Sequence, residues 1–201
     1  MPPSAPLKSA PLRSAAVFCG SRHGVGPTYR AAAAALGTGL AQAGIRLVYG
    51  GGQVGLMGVL ADAVLDGGGD VFGVIPEFLK RREVAHQGPV ALVVTDTMHD
   101  RKRQMFEAAD AFVIMPGGLG TFDEAIEITT WKQLALHDKP ILVCNVDAWA
   151  NPYLHMINEA IRTGFADPGA TSLYEILPDV PTLLTRLTTL TRPGVGQPAR
   201  V

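Results

Sequence analysis

The sequence predicts an α/β protein: a single domain with a doubly wound, Rossmann-like, mostly parallel sheet flanked by helices. Three observations point there. Apolar runs of strand length alternate with segments of helix length along the chain. The composition is 47% hydrophobic and 17% charged, which suits a sheet covered on both faces. Glycine-bearing loops follow three of the apolar runs, at the strand ends where open α/β sheets hold their ligands. At 201 residues the chain is long enough for one large domain with a substantial core.

The expected strands cover 15–20, 45–49, 70–75, 91–95, 111–115 and 140–145, each a short apolar run bounded by turn residues. Helices are expected over 28–43, 56–66, 98–109, 122–136 and 153–163, with a short one after Pro181. The alanines at 31–35 favour helix strongly, and Phe122, Ala125 and Ile126 recur with helical period. Residues 1–13 are rich in Pro, Ser and Ala and have no apolar h-region, so they read as a disordered extension and not a signal peptide. The domain then spans 14–191, and residues 192–201, with two prolines and two glycines, read as a loose tail.

Several function classes drop out. A net charge of −1 provides no basic field, so nucleic acid is not an expected partner. No run of about 18 apolar residues occurs, so no membrane span is expected. Cys19 and Cys144 form no disulfide framework and sit in apolar runs, which fits a reducing, cytoplasmic location. The histidines at 23, 86, 99, 137 and 155 lack ligand spacing, so no metal site is expected. Gly24-Val25-Gly26-Pro27-Thr28-Tyr29 begins like a dinucleotide fingerprint, but Tyr29 replaces the third glycine. The second strand also ends on Tyr49-Gly50-Gly51 rather than on an acid, and no Gly-Lys-Ser/Thr occurs. No cofactor is therefore expected.

The most informative segment is Pro116-Gly117-Gly118-Leu119-Gly120-Thr121-Phe122-Asp123-Glu124. Glycines between a strand and a helix let the backbone approach a ligand, because no Cβ intervenes. Amides in a first helical turn lack intrahelical partners and favour a phosphate. Glu124 is an acid close to that anion site, where Coulomb repulsion should discourage it. A ligand anionic at one end and needing a carboxylate at the other, such as a ribose 5-phosphate, resolves the conflict. Thr121 and Glu124 also match a capping box, which needs no ligand. Asp100-Arg101-Lys102-Arg103 reads either as a solvated basic face or as a source of a phosphate or base contact. Trp131, Trp149 and Tyr153 read as packing residues. The loops at 20–26, 50–55 and 116–121 should rim one crevice.

These motifs, in order, resemble the Lonely Guy (LOG) family of cytokinin riboside 5′-monophosphate phosphoribohydrolases, long labelled lysine decarboxylases. The resemblance runs from about 15 to 177. Its most specific parts are the 116–124 segment, matching PGGxGTxxE, and Met98-His99-Asp100-Arg101-Lys102. Tyr49-Gly50-Gly51-Gly52 with Gly55-Leu56-Met57-Gly58 also fits, as does Val74-Ile75-Pro76 leading to Arg82-Glu83. So does Trp131-Lys132-Gln133-Leu134 with His137-Asp138-Lys139-Pro140. Leu119 stands where many members carry tyrosine, and Phe122-Asp123 where plant members often have Leu-Glu.

The resemblance implies hydrolysis of the N-glycosidic bond of cytokinin riboside 5′-monophosphates, and of AMP, to an adenine-type base and ribose 5-phosphate. It implies Arg101 and Glu124 as the catalytic pair. Glu83, Lys102, Gly117, Gly118, Gly120, Thr121 and Thr130 are the implied substrate contacts, with Gly20, Ser21, Gly51, Gly52 and Met98 as further ones. A homodimer, or an assembly of dimers, with its pocket near the interface is implied too. Two rival classes are a nucleotide-binding or sensing protein without turnover, and a decarboxylase. The latter would need a Schiff-base lysine for pyridoxal phosphate, with Lys102 and Lys139 as candidates.

Overall fold

The computed structural model describes residues 10–80 and 84–192. In chain order its main elements are β1 (Ser14–Phe18), α1 (Thr28–Gln42), β2 (Arg46–Tyr49), α2 (Gly55–Asp66), β3 (Val71–Pro76) and β4 (Ala91–Thr95). Then come α3 (Met98–Ala108), β5 (Ala111–Ile114), α4 (Leu119–Gln133), β6 (Ile141–Cys144), α5 (Asn151–Arg162), β7 (Glu175–Leu177) and α6 (Val180–Thr189). The strands make one sheet in the order β4-β3-β2-β1-β5-β6-β7. Every neighbouring pair is parallel.

Alternation along the strands divides the core in two, because successive side chains point to opposite faces. Ala15, Val17 and Cys19 pack with α1, α2 and α6, while Ala16 and Phe18 pack with α3, α4 and α5. The chain winds outward from β1 to β4, then returns to β5 on the other side of β1. That reversal leaves a crevice at the carboxyl ends of β1 and β5, which is where a ligand fits such a sheet.

The main departures from the sequence expectation lie at β7, α4 and the ends of the domain. β7 was not expected: it is a three-residue edge strand with Ile176 exposed, too short to show periodicity. α4 starts at Leu119, three residues early. Parts of the segments expected to be loose, 10–13 and Arg192, are packed against the domain. Leu12 is buried, Pro11 bridges Thr191, and the Arg13 amide donates to Asp110 Oδ2 at 2.8 Å. Arg192 donates through its amide to Ala10 O at 2.7 Å and through Nε to Asp110 Oδ1 at 3.0 Å. Asp110 thus ties both ends of the domain to the start of β5. Residues 1–9 and 193–201 lie outside the described residues. Among the described residues no helix is long and apolar enough to cross a membrane.

Candidate active site

A cavity of about 570 Å³ opens at the carboxyl ends of β1, β2 and β5. Each of the three expected loops reaches it. The first contributes Gly20 to Gly24, the second Gly50, and the third Pro116 to Thr121. Leu56 and Met57 of α2 and Met105 of α3 add apolar wall. Hydrogen bonds tie the loops together: the Gly20 amide donates to Pro116 O at 3.0 Å and the Leu56 amide to Gly20 O at 2.9 Å.

The third loop is shaped as an anion cradle. Gly118 is the N-cap of α4, so Leu119, Gly120 and Thr121 form the first helical turn, with their amides lacking intrahelical acceptors. A Cβ at Gly118 or Gly120 would meet nothing within 4 Å, so that side is open to a ligand. At Gly117 the reason for glycine is different: a Cβ would overlap Thr121 Oγ1. The capping box fails here, because Thr121 is the third residue of the helix and not its cap. Starting the helix at Leu119 moves Glu124 into the second turn, facing the cavity.

Arg101 and Glu124 form the charged part of the wall. Both are nearly buried, at 5% and 8% exposure, and Arg101 Nη1 lies 3.8 Å from Glu124 Oε1. That separation is an ion pair without a short hydrogen bond. Arg101 Nε instead donates to Val74 O at 3.2 Å, and Nη2 points at Gly50 O at 3.5 Å. Gly50 is required for this arrangement, since a Cβ there would overlap Arg101 Nη2. A guanidinium keeps its charge at any working pH, so the site holds a permanent cation beside a carboxylate in a water-poor wall. Cys19, also on the wall, has its thiol pushed far up by burial and then by the Glu124 charge, which leaves it inert.

The structure brings Arg101, Glu124, Gly117, Gly118, Gly120, Thr121, Gly20 and Ser21 around one cavity. Other expected contacts stand elsewhere. Lys102 turns outward, with Nζ 2.7 Å from Asp123 Oδ2 and 3.2 Å from Glu127 Oε2. Burial pulls its ammonium pKa down, but the bonds to Asp123 and Glu127 outweigh that and hold it above the ordinary value. Gly51 and Gly52 are engaged by the segment after β3: His86 N–H donates to Gly51 O at 3.1 Å, and Gly52 bridges Ala85. Met98 places its sulfur 3.9 Å from Arg101 Nη1, behind the guanidinium. Thr130 lies exposed further along α4. Glu83, with Arg81 and Arg82, lies outside the described residues.

Further wall residues were not named as contacts, although Arg22 stood in an expected crevice loop and Trp149 read as packing. Arg22 lines the cavity beside the cradle, and Trp149 closes it from the segment after β6. Position was the available signal for Arg22, which follows β1 at the crevice, whereas Trp149 comes from the segment after β6 and carried no such signal.

Known proteins resemble this chain in sequence and in fold. The family described as "Possible lysine decarboxylase" matches residues 57–187. Cytokinin riboside 5′-monophosphate phosphoribohydrolase LOG2 of Arabidopsis thaliana is 43% identical over 176 residues, covering 88% of this chain and 83% of its own. LOG3 of the same plant is 40% identical over 181 residues, covering 90% and 84%. The chain belongs to the LOG family. The Rossmann-like fold of this LOG-family chain also recurs in the molybdenum cofactor binding protein of Rippkaea orientalis. That structure has a TM-score of 0.66 at 20% identity and covers 87% of this chain and 94% of its own. At that identity the likeness concerns the fold alone.

The decarboxylase description finds no support in the lysines. Among the described residues none lines the cavity. Lys102 is held by two carboxylates, and Lys139, just before the amino end of β6, donates to Phe106 O at 2.6 Å. No group of three or more His, Cys, Asp or Glu among the described residues could hold a metal ion.

Proposed function

We propose that this protein hydrolyses the N-glycosidic bond of cytokinin riboside 5′-monophosphates, and of AMP, giving an adenine-type base and ribose 5-phosphate. The observation that carries the reading is the Arg101–Glu124 pair buried on the wall of the same cavity as the glycine cradle. The names of relatives at about 43% identity support it.

As the C1′–N bond breaks, positive charge develops on C1′, as in other oxocarbenium-like glycosyl transfers. The Glu124 carboxylate stabilises that charge and takes a proton from the attacking water. The water oxygen bonds to C1′, the bond electrons leave with the base nitrogen, and the proton passes to the departing base. Arg101 orients the base and stabilises its growing negative charge without giving up a proton. Backbone amides of the 117–121 loop hold the 5′-phosphate, and this remote contact positions C1′ for attack.

The protein acts as a homodimer in the cytoplasm. Supporting this, Ile126 and Thr130 lie one turn apart on α4 and both are exposed, and Cys19 and Cys144 are buried free thiols. Burial pushes the Cys144 thiol up to about 12.

Chromatography of free base released from isopentenyladenosine monophosphate and AMP, with the unphosphorylated nucleosides as controls, tests the reaction. Release from the monophosphates alone is expected. Tight binding without release would reject hydrolysis and leave a nucleotide-binding protein. Light scattering of the purified chain tests the dimer.

A further inference from the structure

We propose that Trp149 is a positioning residue for the phosphate cradle: its indole N–H fixes the peptide between Gly117 and Gly118. The inference rests on reading 117–121 as the phosphate site.

Trp149 Nε1 donates to Gly117 O at 3.2 Å. No cis peptide occurs among the described residues, and in a trans peptide the C=O and the following N–H point in opposite directions. Fixing the Gly117 carbonyl on the indole therefore fixes the direction of the Gly118 N–H. Neither glycine has a Cβ to resist rotation of that peptide. Were it to turn over, a carbonyl dipole would replace an amide at an anion site and repel the phosphate.

The indole is itself well held. Its ring stacks on Phe122 of α4, with centroids 5.4 Å apart and planes 6° from parallel, and Phe122 stacks in turn on Tyr153 of α5 at 5.9 Å. The Trp149 amide donates to Val146 O at 3.0 Å, which anchors the backbone after β6. The next cradle peptide is fixed within the helix, where the Phe122 amide donates to Gly118 O at 3.0 Å. Phe122 thus belongs to both restraints: its ring supports the indole and its amide closes the first turn of α4.

A base-stacking platform is the rival use of a tryptophan on a cavity wall, and one face of this ring is already covered by Phe122. The two roles act on opposite ends of the ligand, so they separate experimentally. Trp149→Phe keeps an aromatic ring against Phe122 and removes the N–H. Calorimetry with ribose 5-phosphate, which has no base, should show Kd raised about tenfold, the scale of one hydrogen bond to a charged-ligand site. Binding of adenosine, which has no phosphate, should be unchanged, and kcat/KM for the nucleotide should fall about tenfold.

Unchanged ribose 5-phosphate affinity would overturn the proposal, as would an equal loss for adenosine. If Trp149→Phe does not fold, the benzothienyl analogue of tryptophan at position 149 preserves the ring shape and lacks the donor. Absence of ribose 5-phosphate binding by the wild-type protein would remove the cradle and the proposal together. Wild-type binding without turnover would reject only the hydrolase reading.

Discussion

Helices α3 and α4 meet through two sets of opposite charges drawn from adjacent residues. On the cavity side, Arg101 approaches Glu124 at 3.8 Å, and both are nearly buried. On the outer side, Lys102 contacts Asp123 at 2.7 Å and Glu127 at 3.2 Å, with Asp123 well exposed. The outer contact is the shorter and the less remarkable chemically, because water screens it. The inner pair is longer, yet its charges sit where the dielectric is low and where a ligand would lie between cradle and α3. Its arginine is oriented by the Val74 carbonyl more closely than by its carboxylate partner. Proximity of charge marks the clamp; burial beside a cavity marks the site.

The largest effect should break the inner pair chemically. Glu124→Gln is expected to lower kcat about 10²–10⁴-fold while nucleotide binding persists, as read by steady-state kinetics and calorimetry. Near wild-type turnover would reduce Glu124 to a structural role. Arg101→Ala should lower kcat/KM by about 100-fold, because the cation that stabilises the departing base is lost, as read by steady-state kinetics. Gly50→Ala tests position with the pair intact. Its Cβ would overlap Arg101 Nη2, so activity should fall about 10–100-fold through displacement of the guanidinium. Unchanged kinetics there would show that the placement of Arg101 is unimportant.

The smallest effect belongs to the outer contact. Lys102→Met should leave kcat and KM within about twofold and cost roughly 0.2–1 kcal/mol of stability. Alkaline titration sharpens the point. Burial lowers the Lys102 pKa, but its bonds to Asp123 and Glu127 raise it by more, so the folded value exceeds the ordinary 10.5. A raised folded pKa contributes stability that is complete below about pH 10.5 and lost as pH rises through the folded value. The Tm gap between wild type and Lys102→Met should therefore hold at neutral pH and close in strong alkali. A gap that widens there would refute the clamp.

Much of this was legible in the chain. The apolar runs at 111–115 and 140–145 could hardly be anything but buried strands, and the glycine loops at 20–26, 50–55 and 116–121 set the ligand edge. Legibility failed where local signals compete. Thr121 and Glu124 satisfy the spacing of a capping box, yet α4 begins at Leu119 because Gly118 supplies the cap. Arg101 and Lys102 look alike in sequence, and only the packing of α3 on β3 sends one inward and the other toward α4. Trp149 read as packing, because its bond to Gly117 joins residues 32 apart.

From the residues alone came the covered sheet, its winding and the glycine-to-helix turn, since these follow from periodicity and from what a missing Cβ allows. Tertiary structure decided which charge of an adjacent pair meets the cavity, which glycines border open space, and which ring holds the loop. Such choices depend on contacts between segments far apart in the chain, and no local pattern encodes them.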